Sequence, residues 1–216
     1  GKKTRKSLLK KKRTKKRKKK NCITCKSKKV MKEINSTPLI GILLKRLSLS
    51  KKIEKIILAT SDHDINHPLI KYVTSEGYIV ETGSEDNVLE RFYLAAKKHN
   101  ADIIVRITGD CPLIDAEVVD NVISLFLENK LDYSSNVNPP TFPDGLDVEV
   151  LSFNALESAY KNAVTISDQE HVTPFIRKYQ SNQLNYENKE DLSSLRWTVD
   201  EEEDFKEVKK IFNHFH

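Results

Sequence analysis

Cysteine is scarce in this chain of 216 residues, occurring only as Cys22, Cys25 and Cys111. An odd, sparse set excludes a disulfide framework and suits a reducing compartment. Cys22 and Cys25 have the spacing of half a zinc site or of a redox pair. No second Cys/His pair with ligand spacing follows and no strand precedes them, so the spacing reads as accidental. Long apolar runs are missing too. None approaches the roughly 20 residues of a membrane span, and no apolar core follows the basic opening as a secretory signal requires. The chain reads as cytoplasmic, with no membrane attachment. Acid is absent from the first 29 residues, which hold 17 Lys or Arg, whereas the remaining 187 carry 20 bases against 31 acids. The net charge of +6 therefore averages a basic leader and an acidic body.

Residues 1–28 read as a basic leader, and 29–216 as a single domain long enough to build its own core. The leader cannot bury apolar surface and its charges repel one another, so disorder is expected. Three readings of it stand side by side: a tail for nucleic acid or another anionic surface, an inert solvated arm, or a stretch that is not native to the domain. It has no aromatic residue to stack a base, so any nucleic-acid binding through it is non-specific and salt-sensitive.

From Val30 the pattern is regular. Thr37-Pro38 opens a helix whose Leu39, Ile40, Leu43, Leu44 and Leu47 share a face. Residues 55–60 read as a buried strand. A helix with Leu69, Ile70 and Val73 then ends at Gly77, and 78–80 is a short strand. Ser84 is expected to cap the next helix, with Glu85 and Asp86 in its first turn and Val88, Leu89, Phe92, Ala95 and Ala96 inward. Residues 102–108 form a β-branched strand that breaks at Gly109-Asp110. Asp115 then caps a helix carrying Val118, Val119, Val122, Ile123 and Phe126. Strands alternating with helices imply parallel βαβ units.

Beyond residue 129 the rhythm changes. Residues 132–137 look extended, prolines at 139, 140 and 143 make an irregular loop, and 146–151 alternates like a strand with one wet face bearing Asp147 and Glu149. Ser167-x-x-Glu170 has the form of a capping box, with Pro174 marking a later start or a kink. Residues 184–187 and 196–199 read as strands. The last helix directs Phe205, Val208, Ile211, Phe212 and Phe215 inward.

Acids thus fall at three strand-to-turn junctions: Asp110, the Asp147/Glu149 pair, and Asp200. The ends of strands in open α/β sheets are where ligands bind. Carboxylates gathered around phosphates repel them unless a hard cation such as Mg²⁺ joins the two. Capping and solvation explain isolated acids of this kind equally well.

Eight segments in order, KVMKEINSTPLIG, ILATSDHD, GSEDNVLERF, VRITGDCPLID, DYSSNV, FPDGLDVEVL, EHVTPFIRKY and RWTVDEEEDF, give the chain a resemblance to the cytidylyltransferase family that activates sugars for surface polysaccharides. It is most similar to the spore-coat polysaccharide type, related to acylneuraminate and deoxy-octulosonate cytidylyltransferases. The resemblance implies a Rossmann-like three-layer α/β fold of the nucleotidyltransferase type with a mostly parallel sheet. It also implies attack of a sugar on the α-phosphorus of CTP, giving a CMP-sugar and pyrophosphate. By the same resemblance Asp110 and Asp200 hold Mg²⁺. Lys29, Asp86, Arg91, Arg106 and Gly109 join Asp110 on the nucleotide, with Lys29 also among the catalytic groups. Asn136, Asp147, Glu149 and His171 line the sugar side. A homodimer is left open, with contacts over residues 132–163. So is the transfer of a different nucleotide.

The chain departs from the family at its front. Members begin with an apolar strand and a turn of the form R-x-G-S-x-R-L-P-x-K that wraps the triphosphate. Here Lys29 matches the closing lysine, but Cys25 and Ser27 replace the arginine and proline, no glycine is present, and no apolar strand precedes. Residues 1–28 are read as out of frame with the rest, by a reading-frame error or recent mutation. Weak or absent activity and reduced stability are the expectation. A nucleotide-binding relative with impaired catalysis is the alternative reading.

Overall fold

The computed structural model of the chain describes residues 28–215. The readings made for the leader, for Cys22 and Cys25 and for Ser27 lie outside them.

A two-residue antiparallel pair, β1 (Glu33–Ile34) and β2 (Thr37–Pro38), leads into α1 (Leu39–Leu47). Pro38 lies one residue ahead of the helix, with its φ of −58° already helix-compatible and no N–H to leave unpaired. β3 (Ile57–Ser61), α2 (His67–Ser75) and β4 (Ile79–Gly83) make one βαβ unit whose strands pair in parallel. There follow α3 (Val88–Lys98), β5 (Ile103–Arg106), α4 (Ala116–Glu128), β6 (Tyr133–Ser135) and β7 (Glu149–Ser152). The chain ends with α5 (Phe153–Asn162), α6 (Ile166–His171), α7 (Pro174–Tyr179), β8 (Gln183–Asn185) and α8 (Glu202–Phe215).

The larger sheet has the order β5-β7-β6-β8. β7 pairs antiparallel with both β5 and β6, while β6 and β8 are parallel, so β5, β6 and β8 run one way and β7 alone opposes them. Helices cover both faces. On β7, Val150 joins the core of α1, α2 and α4 (Leu43, Leu44, Val119, Val122), and its neighbour Leu151 joins Leu89, Tyr93, Leu156 and Ile176 on the opposite face. Strand alternation thus feeds two cores at once. Full burial of side chains this size is worth about 1.5–3 kcal/mol each. A third cluster packs Val208 of α8 against Ile34, Leu39, Ile42 and Val199.

Several expectations need correction. Of the wet face expected over residues 146–151 only Asp147 keeps partial exposure: Leu146, Val148, Glu149, Val150 and Leu151 are all buried, because both faces of β7 are covered. Residues 196–199 are not a strand, and Arg196 makes only an isolated bridge to Asp144. Asn87, not Ser84, caps α3 through its side-chain oxygen, which accepts the Glu90 N–H, so Glu85 and Asp86 precede the helix. Thr165 caps α6, accepting the Asp168 N–H, and the box from Ser167 to Glu170 does not form. Of the two readings of Pro174 the later start holds, since it begins a new helix. β5 is half-buried along its length, with Ile103 37% exposed. Among the described residues β3 and β5 each pair along one edge only.

Candidate active site

Asp110 follows the carboxyl end of β5. The turn that carries it is fixed by Cys111 N–H donating to Thr108 O, and the helix beyond is capped by Asp115, whose carboxylate accepts the Glu117 and Val118 N–H groups. The carbonyl of Asp110 accepts the Val199 N–H at 2.9 Å. That single bond brings the segment bearing Asp200 alongside, across 89 positions of sequence, so the two acidic turns form one edge. Among the described residues the Asp110 carboxylate meets only the Cys111 thiol, at 3.6 Å. Asp200 is engaged on both oxygens: Lys29 Nζ lies 3.1 Å from Oδ1 and Arg196 Nη2 lies 2.6 Å from Oδ2.

Arg196 is the hub of this edge. Its Nη1 pairs with Asp144 at 2.6 Å and its Nε donates to Asp204 at 3.2 Å. Asp144 is held in turn by its backbone, through Asp144 N–H to Leu195 O and Trp197 N–H to Asp144 O. Gly145 makes the close approach possible. Its φ is +114°, and a Cβ there would fall 2.7 Å from the carbonyl carbon of Trp197.

Beyond this edge opens a polar cleft of about 220 Å³. One side carries Arg106, Asp147 and Glu149, the other His171, Thr173 and Arg177. Glu149 is buried but satisfied, paired with Arg106 and accepting the Tyr133 hydroxyl at 2.6 Å. Burial and the neighbouring Glu149 push the Tyr133 hydroxyl pKa well up, so it stays a donor. Among the described residues Asp147 has no such partner. Burial, together with Asp144, Glu149 and Asp110, pushes its carboxyl from 3.8 up to about 6, against the pull of Arg106. Burial first, then Asp110, likewise raises the Cys111 thiol. Arg177 also lines the cleft and makes no ion pair among the described residues.

The candidate residues therefore divide. Asp110, Asp147, Glu149, Arg106 and His171 gather at the cleft or its edge, and Lys29 and Asp200 join through Arg196 and the Val199 bond. Gly109 lies in the same turn, its Cα facing the Val30 side chain. Asn136 is near but committed, its amide bonding Leu146 O and Val148 N–H at 2.8 Å each. Asp86 is exposed in the turn between β4 and α3. Arg91 folds over that turn, donating to Ser84 O at 2.6 Å, with its Nε buried and unbonded and its pKa lowered by burial. Arg177 and Arg196 escaped the sequence reading although both stand in matched segments, EHVTPFIRKY and RWTVDEEEDF.

No three or more His, Cys, Asp or Glu among the described residues are grouped to hold a metal ion. Mg²⁺, however, binds through one or two carboxylates and completes its shell with water and phosphate oxygens. Asp110, which has no cationic partner among the described residues, and Asp200 on the neighbouring turn would supply hard donors of that kind. No helix among the described residues is long and apolar enough to cross a membrane.

A mixed sheet between helical layers, with acidic turns meeting over a polar cleft at a strand end, defines a domain of the nucleotidyltransferase fold class. The sequence pattern of the cytidylyltransferase family matches residues 27–214, and the chain belongs to that family. It is similar to the uncharacterized protein MJ1063 of Methanocaldococcus jannaschii, at 38% identity over 87% of this chain and 77% of the relative. It is also similar to the spore coat polysaccharide biosynthesis protein SpsF of Bacillus subtilis, at 30% identity over 85% of this chain and 79% of that one. A solved cytidylyltransferase from Leptospira borgpetersenii superposes with a TM-score of 0.84 at 31% identity, over 87% of this chain and 81% of that one.

Proposed function

We propose that the chain is an Mg²⁺-dependent transferase that joins CMP from CTP to a sugar, releasing pyrophosphate, for a surface polysaccharide or glycan. The observation that carries this reading is the Asp110 O to Val199 N–H bond, which unites two acidic turns beside a cleft lined by Asp147, Glu149 and Arg177. Membership of the cytidylyltransferase family and the likeness to a polysaccharide biosynthesis protein support it.

On this reading Lys29 neutralises triphosphate oxygens. Asp86 and Arg91 hold the nucleotide from the turn after β4. Asp110 and Asp200 hold Mg²⁺, which supplies charge neutralisation for the departing pyrophosphate. The acceptor lies in the cleft with its hydroxyls on Asp147 and Glu149 and an acidic group on Arg177. An acceptor oxygen attacks the α-phosphorus in line as the bond to pyrophosphate breaks, and the protein contributes placement and charge, with no covalent intermediate. The test is a CTP titration with and without Mg²⁺, repeated for Asp110→Asn. Mg²⁺-dependent binding that Asp110→Asn weakens at least tenfold is expected. Binding indifferent to both defeats the proposal.

The departure from the family's triphosphate-wrapping turn, with Cys25 and Ser27 where the arginine and proline stand, favours a second reading, a relative that binds nucleotide with little turnover. CTP binding without pyrophosphate release on any sugar supports it, and normal turnover excludes it.

A further inference from the structure

Asp200 shares its charge with two cations before any ligand arrives. Lys29 Nζ lies 3.1 Å from Oδ1 and Arg196 Nη2 2.6 Å from Oδ2. Arg196 is held in place by the rest of its fork, on Asp144 and Asp204. Asp204 is anchored by its other oxygen, which accepts the N–H groups of Asp200 and Glu201 at 2.9 Å each. The backbone of Arg196 lies against Asp144, in the isolated bridge that the Leu195 and Trp197 hydrogen bonds make. The guanidinium is therefore held beside Asp200 by two further carboxylates.

A bare divalent cation reaching Asp200 has to displace both side chains and then remain beside them. Like charges at such spacing repel, most strongly where water is partly excluded. A cation carried on a triphosphate meets a different situation. Its phosphate oxygens offer Lys29 and Arg196 new anionic partners at the same place, and a guanidinium fork fits phosphate as well as carboxylate. Local charge stays balanced only in the second case.

We infer that Arg196, together with Lys29, keeps Asp200 closed to a free divalent cation and releases it to one already bound to a triphosphate, making Arg196 a positioning residue that enforces joint entry of metal and nucleotide. The inference rests on the reading of Asp200 as a metal ligand.

The test measures Mn²⁺ binding, as a paramagnetic substitute for Mg²⁺, by electron paramagnetic resonance of free Mn²⁺, with and without CTP. The proteins are the full chain and its Arg196→Gln, Arg196→Lys and Asp200→Asn variants, each checked for folding by circular dichroism. The chain itself is expected to bind Mn²⁺ far more tightly with CTP than without. Arg196→Gln is expected to bind Mn²⁺ alone about fivefold more tightly, the scale of one partly exposed ion pair, and Mn²⁺ with CTP less tightly. Arg196→Lys, which keeps the charge and loses the fork, falls between. If Arg196→Gln leaves Mn²⁺ binding alone unchanged or weaker, while Asp200→Asn abolishes the binding seen with CTP, this inference fails and the metal reading stands. If Asp200→Asn leaves binding with CTP intact, the metal reading itself fails. Should Arg196→Gln not fold, Arg196→Lys decides, and no gain in binding of Mn²⁺ alone overturns the inference.

Discussion

Asp147 offers a prediction in which function and stability oppose each other. Its carboxyl is raised from 3.8 to about 6 by burial and by Asp144, Glu149 and Asp110. A carboxyl whose folded pKa exceeds its unfolded one binds more protons when folded, so it favours the folded state at low pH and loses that advantage as pH rises. The contribution is full below 3.8 and gone above about 6. Two pH units correspond to about 3 kcal/mol at most, at 1.36 kcal/mol per unit, and partial access to water brings this to about 1–2 kcal/mol. Asp147→Asn removes the titration and keeps the shape. It should therefore match the parent near pH 4 and exceed it by about 1–2 kcal/mol at pH 7, a rise of roughly 4 °C in melting temperature, while losing transfer to the acceptor. Urea unfolding of both proteins at half-unit steps from pH 4 to 7.5 measures the difference. A difference that is flat with pH, or that favours the parent at pH 7, refutes the assignment of a buried acid raised by neighbouring carboxylates.

Three further outcomes follow from other features. Gly145→Ala places a Cβ against the Trp197 backbone at a φ of +114° and should cost about 2 kcal/mol or more, read from the urea midpoint. Tyr133→Phe removes the hydroxyl donated to buried Glu149 and should cost about 1–3 kcal/mol, read the same way; a neutral effect shows that Arg106 alone satisfies that carboxylate. Translation of the DNA upstream of codon 29 in its two other frames should give an apolar strand followed by a basic, Ser-containing turn, and finding neither makes the leader genuine.

Much of the fold was legible because it is written in local patterns. The apolar stripe of α1, the Asp115 cap and the β-branched run of β5 each declare themselves within a dozen residues. Caps that competed with a near neighbour were misassigned. Ser84 accepts the Asn87 N–H in the turn ahead of α3, while Asn87 takes the helix cap itself. The wet face expected over residues 146–151 shrinks to Asp147 because alternation reports chemistry and not surroundings: Glu149 is buried and ion-paired, and its partners, Arg106 and Tyr133, lie on other strands. Arg196 was invisible for the same reason. It lies 52 positions from Asp144, and nothing in RWTVDEEEDF alone says that its arginine gathers three carboxylates.

Whether Asp110 and Asp200 act on one ligand is decided most directly by a double-mutant cycle on Mg²⁺-dependent CTP binding, followed by calorimetry for Asp110→Asn, Asp200→Asn and the pair. Side chains serving one bound ion are predicted to be non-additive, so that the double variant binds little worse than either single one. Losses that simply add, each carboxylate acting as though the other were absent, would contradict the account.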